Sequence, residues 1–307
     1  MTALVLIWGT AFVSIKVLGQ HLDPFQLTWY RYVPLLVLSV VWLPLRRRDR
    51  FAKVSGADWL RFGLAGVLGV LGYHLPLNYG TSTVSADPIT GGMAAVLVAS
   101  TPLWTLLYVR ISGQEALTPR KLAGAAVAFI GVSLVVFLGR PDAQGPDAAR
   151  TALVVLLAPI FWGLYSVVAK PLIARHGGLF TTALTMGIGT LTLLPAGLSY
   201  GTAPLADFGA AEWFWLAYLS IAATVGGYII WNQSLKRRSA AQVTSYIFAI
   251  PVVATLAGAI LIGERITAWF VAGSALVLLG LWWVQNAPTQ AKDLKHPADS
   301  PTRGRRP

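Results

Sequence analysis

The chain has 307 residues, of which 55% are hydrophobic and only 12% are charged, whereas soluble domains usually carry about 25% charged residues. A soluble protein of this length would need polar side chains to cover its surface, so the composition favours an integral membrane protein. The absence of cysteine excludes disulfides, thiolate metal sites and cysteine nucleophiles, and the net charge of +12 is ascribed to cytoplasmic loops. Nucleic-acid binding is not expected, because the sequence has no basic stripe interleaved with aromatic residues.

Ten apolar runs follow one another along the chain, separated by short polar breaks that contain turn-forming residues. Each run has roughly 18–24 residues, enough for a helix to cross about 30 Å of hydrocarbon. Strands of a membrane barrel would be about half as long and would alternate in polarity, which these runs do not. The sequence therefore predicts an all-α membrane protein with ten transmembrane helices, near residues 2–19, 25–45, 60–79, 86–109, 119–138, 151–170, 179–199, 213–234, 239–262 and 267–285.

The distribution of Lys and Arg predicts the orientation of these helices. With ten spans and a cytoplasmic N-terminus, 19 of the 24 Lys and Arg residues fall in cytoplasmic segments and 3 on the opposite side. This bias follows the positive-inside rule. We therefore expect a multi-pass protein of the cell (plasma or inner) membrane with both termini in the cytoplasm. Residues 286–307, with four prolines and scattered charges, are expected to form a disordered basic cytoplasmic tail.

One short sequence occurs twice. Residues 8–16 read WGTAFVSIK and residues 162–170 read WGLYSVVAK, so Trp, Gly and Lys recur at an offset of 154 residues. The two copies lie in the first and the sixth apolar runs. Chance repetition of apolar letters is the alternative, and the second match described next argues against it.

The second match has an offset of 149 residues and aligns Pro102 with Pro251 and Glu115 with Glu264. At the same offset, one Thr and two Gly residues of the first half also align with identical residues of the second half. The sequence therefore predicts two halves of five helices each, residues 1–138 and residues 150–285. Because five is odd, the second half would enter the membrane from the opposite side, which is an inverted-topology repeat and is typical of secondary transporters.

The two copies of W-G-x(6)-K, Arg31 in the second span, and P-x(12)-E-x-x-T before a Gly-rich span resemble the EamA family of the drug/metabolite transporter superfamily. Residues 228–267, YIIWNQSLKRRSAAQVTSYIFAIPVVATLAGAILIGERIT, carry the most specific match, and the resemblance covers roughly residues 4–285. It implies a ten-helix carrier with a central cavity that moves small metabolites, often outward. The link at 79–92 departs from the family pattern, because it is longer and more polar.

Three charged positions belong to these motifs. Glu115 and Glu264 each precede the next span, where the free N–H groups of a helix N-terminus favour a carboxylate. A structural role at the helix boundary is therefore preferred to a role in ion coupling. Arg31 has two readings: it binds a substrate carboxylate, or it pairs with Asp23 or a lipid headgroup, and the structural reading is preferred. Pro102 and Pro251 are assigned to the structural motif of the repeat.

The third span contains a second group of candidates, Tyr73, His74 and Asn78. His74 and Asn78 are four residues apart, so they share one face of a helix. Polar groups that face lipid cost on the order of kilocalories per mole, so this face is expected to meet protein or water. Two readings of His74 stay open: a cavity-facing substrate or proton site, and a neutral histidine bonded between helices.

Further aromatic and hydroxyl side chains are predicted to converge near the middle of the membrane, where they would form an apolar site with a few polar anchors. Aromatic packing is the alternative for each of them. Trp8 and Trp162 are the strongest candidates because the repeat relates them. The set comprises Trp8, Thr10 and Ser14 in the first span, Trp162, Tyr165 and Ser166 in the sixth, Tyr228 and Asn232 in the eighth, and Tyr246 in the ninth.

The leading functional hypothesis is a secondary carrier that exports or exchanges a small organic metabolite, amino-acid-like or drug-like, by alternating access. A non-transporting scaffold or channel is the alternative, and a membrane enzyme is a weaker one, because the sequence has no H-E-x-x-H, G-x-S-x-G or Walker A motif. No cofactor, metal or nucleic-acid partner is expected. The expected partners are the lipid bilayer and a small-molecule substrate. The sequence does not decide between a monomer and a homodimer.

Overall fold

A computed structural model of the chain describes residues 1–43, 45, 51, 53–85, 91–113, 118–138, 148–201, 203–262 and 268–287. In these residues the fold is entirely helical, without strands, as the sequence predicts. We number the helices as follows: α1 Thr2–Leu18, α2 Pro24–Val37, α3 Gly56–Thr81, α4 Ala94–Ile111, α5 Pro119–Phe137, α6 Leu153–His176, α7 Gly178–Leu191, α8 Ala210–Arg237, α9 Ala240–Leu261 and α10 Ala268–Gln285.

Five of these helices are long and apolar enough to cross a membrane: α3, α4, α6, α8 and α9. The number rises to six if α7 and Leu194–Tyr200, which meet at a bend of 64°, form one span. Large apolar side chains on the helix surfaces are exposed, including Leu60 at 77% and Ile260 at 79%. Such a surface would be unfavourable in water and suits a hydrocarbon environment.

Several helices begin at a side chain that accepts hydrogen bonds from free backbone N–H groups. Asp23 accepts bonds from the N–H groups of Phe25 and Gln26 at the start of α2, at 2.8 and 2.9 Å. Ser55 accepts one from Asp58 in the first turn of α3, and Ser239 one from Gln242 in the first turn of α9. These caps satisfy donors that a helix leaves unpaired.

Helices α3 and α8 each contain a π-helical stretch, Leu68–Gly72 and Tyr218–Gly226. A π-turn interrupts the regular i to i−4 bonding and lets a carbonyl accept a bond from another helix. The Gly69 carbonyl accepts a bond from the Tyr228 hydroxyl at 2.9 Å, and the Ala223 carbonyl accepts one from the Trp8 indole N–H at 2.8 Å. The two π-turns therefore fix aromatic side chains at the centre of the molecule.

Candidate functional site

A narrow cavity of about 30 Å³, room for one or two water molecules, lies between helices of both halves. Its wall is mainly apolar and aromatic, with one cationic side chain, Arg31. The lining residues are Trp8, Ala11, Phe12 and Ile15 of α1, Arg31 of α2, Tyr73, His74 and Leu77 of α3, Trp162 of α6, Tyr228 of α8 and Ile250 of α9.

A directed network of hydrogen bonds runs along one wall of this cavity. The Arg31 guanidinium can only donate, so at the 3.2 Å contact between Arg31 Nη1 and His74 Nδ1 the histidine nitrogen accepts. His74 is therefore neutral, with its proton on Nε2, which donates to the Tyr228 hydroxyl at 3.3 Å. The Tyr228 hydroxyl itself donates to the Gly69 carbonyl, so at the 2.7 Å contact with Tyr32 it accepts the Tyr32 proton.

Arg31 lies in the middle of α2 and is 4% exposed. Its Nε donates to the Thr224 hydroxyl of α8 at 2.6 Å. Among the described residues it forms no ion pair, and Asp23 instead caps the start of α2. The structure thus places Arg31 in the cavity wall rather than against Asp23.

The aromatic side of the cavity is a cluster of rings centred on Trp162. Its ring centroid lies 5.6 Å from that of Trp8, 4.9 Å from that of Tyr73 and 5.3 Å from that of Trp231. Edge-to-face and tilted pairs of this kind add to the stabilisation from burial. The two repeat-related tryptophans differ in one respect: Trp8 donates its N–H to Ala223, whereas the buried Trp162 N–H has no acceptor among the described residues.

Asn78 and Asn232 lie beside the cavity without lining it. Asn78 donates to Thr28 Oγ1 at 2.9 Å and ties α3 to α2, while Asn232 donates to Thr182 Oγ1 at 2.6 Å and ties α8 to α7. Asn232 also pairs with the Tyr165 hydroxyl at 3.2 Å. These amides act between helices in the described structure.

The remaining candidates from the sequence take other positions. Thr10 is half-buried on α1, and the buried Ser14 hydroxyl has no partner among the described residues. Ser166 donates to the Trp162 carbonyl of its own helix. The Tyr246 hydroxyl accepts a bond from Arg238 at 3.2 Å, away from the cavity. Pro102 and Pro251 are buried in α4 and α9, and Glu115, Glu264 and the predicted tail beyond Ala287 lie outside the described residues.

Sequence reasoning missed Tyr32, Thr224 and the two π-turns as parts of the site. Tyr32 follows Arg31 directly and looks like an ordinary apolar-facing aromatic residue in the sequence. The glycines of the π-turns, such as Gly69 and Gly226, were the available signal, because glycine often marks helix irregularities. Among the described residues no group of three or more His, Asp or Glu side chains could hold a metal ion.

A second polar cluster surrounds Asp58, at the first turn of α3. Its buried carboxylate accepts bonds from Arg61 at 3.2 Å, Arg175 at 2.5 Å and His176 at 2.9 Å. Arg175 and His176 belong to the last turn of α6, so the cluster joins α3 to the end of α6. A cleft of about 540 Å³ beside it is lined by Lys53 and Lys236 as well.

The profile of the EamA-like transporter family matches residues 1–137 and again residues 149–285. The chain belongs to the EamA-like transporter family. Members of this family are integral membrane transporters, so the family and the apolar helices agree on a membrane protein rather than a soluble one.

Several relatives extend along nearly the whole EamA chain. An "Uncharacterized transporter" of Archaeoglobus fulgidus is 26% identical over 90% of this chain and 93% of its own. A "Probable terminal-alkyne amino-acid exporter" of Streptantibioticus cattleyicolor is 28% identical over 90% and 89%. A "Probable amino-acid metabolite efflux pump" of Salmonella typhimurium is 25% identical over 91% of each chain.

One solved crystal structure has the same fold as this EamA protein. It superposes with a TM-score of 0.68 and covers 92% of this chain and 96% of its own. Only 19% of the aligned residues are identical, so the likeness concerns the fold alone.

Proposed function

We propose that this EamA protein is a secondary carrier that exports or exchanges a small organic metabolite by alternating access. The observation that carries the proposal is the buried cavity, which helices of both sequence halves line together. A site between two repeats is where secondary transporters hold their substrates. The cavity has to widen before it admits a metabolite, because its present volume of about 30 Å³ is smaller than an amino acid.

The proposal includes ten membrane spans in two inverted repeats, residues 1–138 and 150–285. Matched hydrogen bonds support it: the bond from Asn78 to Thr28 has its counterpart in the bond from Asn232 to Thr182, and both partners are shifted by 154 residues. Both threonines also donate to the carbonyl four residues earlier. The two family matches agree with the same division of the chain.

Close helix contacts support the repeat in the same way. A side chain at Gly124 would touch the Gly280 carbonyl at 2.9 Å, and one at Gly131 would touch the Gly273 carbonyl at 2.6 Å. The repeat aligns Gly124 with Gly273 and Gly131 with Gly280. Reciprocal contacts of this type are expected when two antiparallel helices are related by a two-fold axis.

The substrate class is suggested by relatives that are named amino-acid exporters and amino-acid metabolite efflux pumps. An amino-acid-like metabolite combines an apolar body with a charged group, and the cavity offers aromatic rings beside Arg31. The direction of transport is proposed to be outward, with both termini in the cytoplasm of a cell whose inner or plasma membrane holds the protein. The charge bias of the loops supports this orientation.

Counterflow in proteoliposomes tests the proposal. Purified protein is reconstituted, the vesicles are loaded with an unlabelled mixture of amino acids and related organic acids, and uptake of a labelled member is followed. A transient accumulation that protein-free vesicles lack is the expected result, since a carrier exchanges one substrate molecule for another. Labelled solute that only equilibrates, or crosses at channel-like rates without saturation, would contradict a carrier.

A further inference from the structure

The cavity contains a cation without a compensating anion. Of its lining residues, Arg31 alone carries a charge, and the described wall includes no Asp or Glu. Arg31 is 4% exposed, and its two hydrogen bonds to described residues go to the uncharged acceptors Thr224 and His74. A guanidinium has five N–H donors, so most of its capacity is unused by the described protein. A buried cation in a membrane protein is costly unless an anion or a hydrated path accompanies it.

The internal repeat has an uncharged residue at the position equivalent to Arg31. At an offset of 154 residues Arg31 corresponds to Thr185, which donates to the Thr181 carbonyl of its own helix. The interhelical pairs Asn78–Thr28 and Asn232–Thr182 are kept in both halves. The two halves therefore share these asparagine–threonine bonds between helices and differ at the residue that lines the cavity.

The rest of the wall suits the apolar part of a ligand. The ring centroid of Trp162 lies 5.6 Å from that of Trp8 and 4.9 Å from that of Tyr73. Trp162 also keeps a buried N–H that has no acceptor among the described residues, a second donor beside the guanidinium. Aromatic rings with a few fixed polar groups are typical of small-molecule sites.

We infer that the substrate is an amphipathic organic acid whose carboxylate binds Arg31 and whose apolar or aromatic body packs between Trp8, Tyr73 and Trp162. Amino acids with apolar side chains belong to this class, whereas amines without a carboxylate do not, because Arg31 would repel them. Bidentate pairing with a carboxylate uses the guanidinium donors that the described residues leave unused. The inference rests on the proposed carrier function, which it makes more specific.

Binding of three probes with one carbon skeleton tests it: 3-phenylpropanoate, 3-phenylpropanamide and 3-phenylpropylamine. Affinities are measured on the purified full-length protein in detergent, by ligand-induced thermal shift and by quenching of tryptophan fluorescence. We expect the carboxylate to bind at least tenfold more tightly than the amide or the amine. Equal affinities for the carboxylate and the amide would overturn the inference, and this comparison needs only the wild-type protein.

Substitutions then assign the preference to Arg31. Arg31→Gln should lose the preference for the carboxylate, Arg31→Lys should keep part of it, and Arg237→Gln, at an exposed position, should bind like wild type. If Arg31→Gln is folded and still prefers the carboxylate tenfold, Arg31 is not its ligand. Where Arg31→Gln does not fold, an Arg31→Lys variant with an unchanged preference for every probe would count against the bidentate contact.

Transport of the same probes separates this inference from the function on which it rests. Carboxylate-selective binding without any counterflow would contradict the carrier and leave the ligand class intact. Counterflow of the amide or the amine at the rate of the carboxylate would contradict the ligand class and leave the carrier intact.

Discussion

At the scale of single residues, His74 takes its role from its two neighbours. Arg31 supplies a proton donor to one ring nitrogen, and the Tyr228 hydroxyl accepts from the other. The ring therefore works as a neutral spacer that orients both the cation and the tyrosine. Any side chain that accepts at one end and donates at the other should replace part of this function.

His74→Gln is accordingly expected to keep part of the transport rate, because the Gln amide offers one acceptor and two donors. His74→Ala is expected to lower transport roughly ten- to hundredfold, since a hydrogen bond to a charged group contributes about 1.5–3 kcal/mol. Initial rates in proteoliposomes, normalised to folded protein, provide the measurement. His21→Ala is the control, because His21 is exposed. Equal loss in the Gln and Ala variants would show that the site needs a titrating histidine instead.

The unpartnered indole N–H of Trp162 allows a test that removes one donor and keeps an aromatic ring. Trp162→Phe should raise the KM for transport several-fold, because a neutral hydrogen bond contributes about 0.5–1.5 kcal/mol. Trp231→Phe is the matched control: its N–H is also buried without a described acceptor, and its ring belongs to the same cluster, but it does not line the cavity. A similar KM in wild type and both variants would mean that the substrate does not use the Trp162 donor.

At the scale of helices, the glycine of the repeated Trp-Gly pair has a packing function. A Cβ atom at Gly9 would lie 2.5 Å from the Val253 side chain, and one at Gly163 would lie 3.1 Å from the Thr105 backbone N. The first contact joins α1 to α9 and the second joins α6 to α4. Gly9 and Gly163 are repeat-related, and so are the helices that approach them.

Gly9→Ala should therefore destabilise the protein by about 1–3 kcal/mol, the usual cost of overpacking a tight contact. Thermal unfolding of the detergent-solubilised protein measures this as a lower midpoint temperature. Gly63→Ala, which meets nothing within 4 Å, should leave the midpoint unchanged or slightly higher. If both variants unfold at the same temperature as wild type, α1 and α9 do not pack as closely as the structure shows.

Asp58 of α3 joins this helix to the end of α6, because its carboxylate contacts two side chains of α6. This tie between the helices leads to a separate prediction. Asp58→Asn removes the charge that holds Arg175 and His176 and should lower the unfolding midpoint by several degrees, because Asp58 is 2% exposed. Asp207→Asn, at an exposed position, is the control. The variants are compared in the same detergent, and an unchanged midpoint for Asp58→Asn would show that the tie contributes little.

The helices themselves could be predicted well from hydropathy, because each buried or lipid-facing helix needs a long apolar run. Hydropathy does not predict the π-turn at Leu68–Gly72, since the turn shifts the register by one residue without changing the apolar character, and only its glycines indicate an irregular helix. Arg31 shows the same limit for the site. Its sequence context allows an ion pair with Asp23, and only the fold shows that Asp23 is occupied in capping α2 while Arg31 reaches Thr224.

At the scale of the whole molecule, the two halves share their packing and differ in the cavity. Asn78 and Asn232 hold equivalent helix pairs, whereas His74 and Tyr228, which the offset of 154 residues also relates, bond to each other across the two halves. In the proposed inverted repeat, a contact between repeat-related residues would lie on the axis that relates the halves. Alternating access by rocking one half against the other would have to rearrange this contact.

The proposed orientation leads to the last prediction. If both termini are cytoplasmic, the end of α8 near Arg237 faces the cytoplasm and the loop before α8, which holds the exposed Asp207, faces the other side. The protein has no cysteine, so single Arg237→Cys and Asp207→Cys variants report these positions without background. A membrane-impermeant thiol reagent applied to intact cells should label Asp207→Cys at once and Arg237→Cys only after the membrane is permeabilised, while the cysteine-free parent stays unlabelled. Labelling of Arg237→Cys in intact cells, with Asp207→Cys protected, would reverse the orientation and place the excess of positive charge outside.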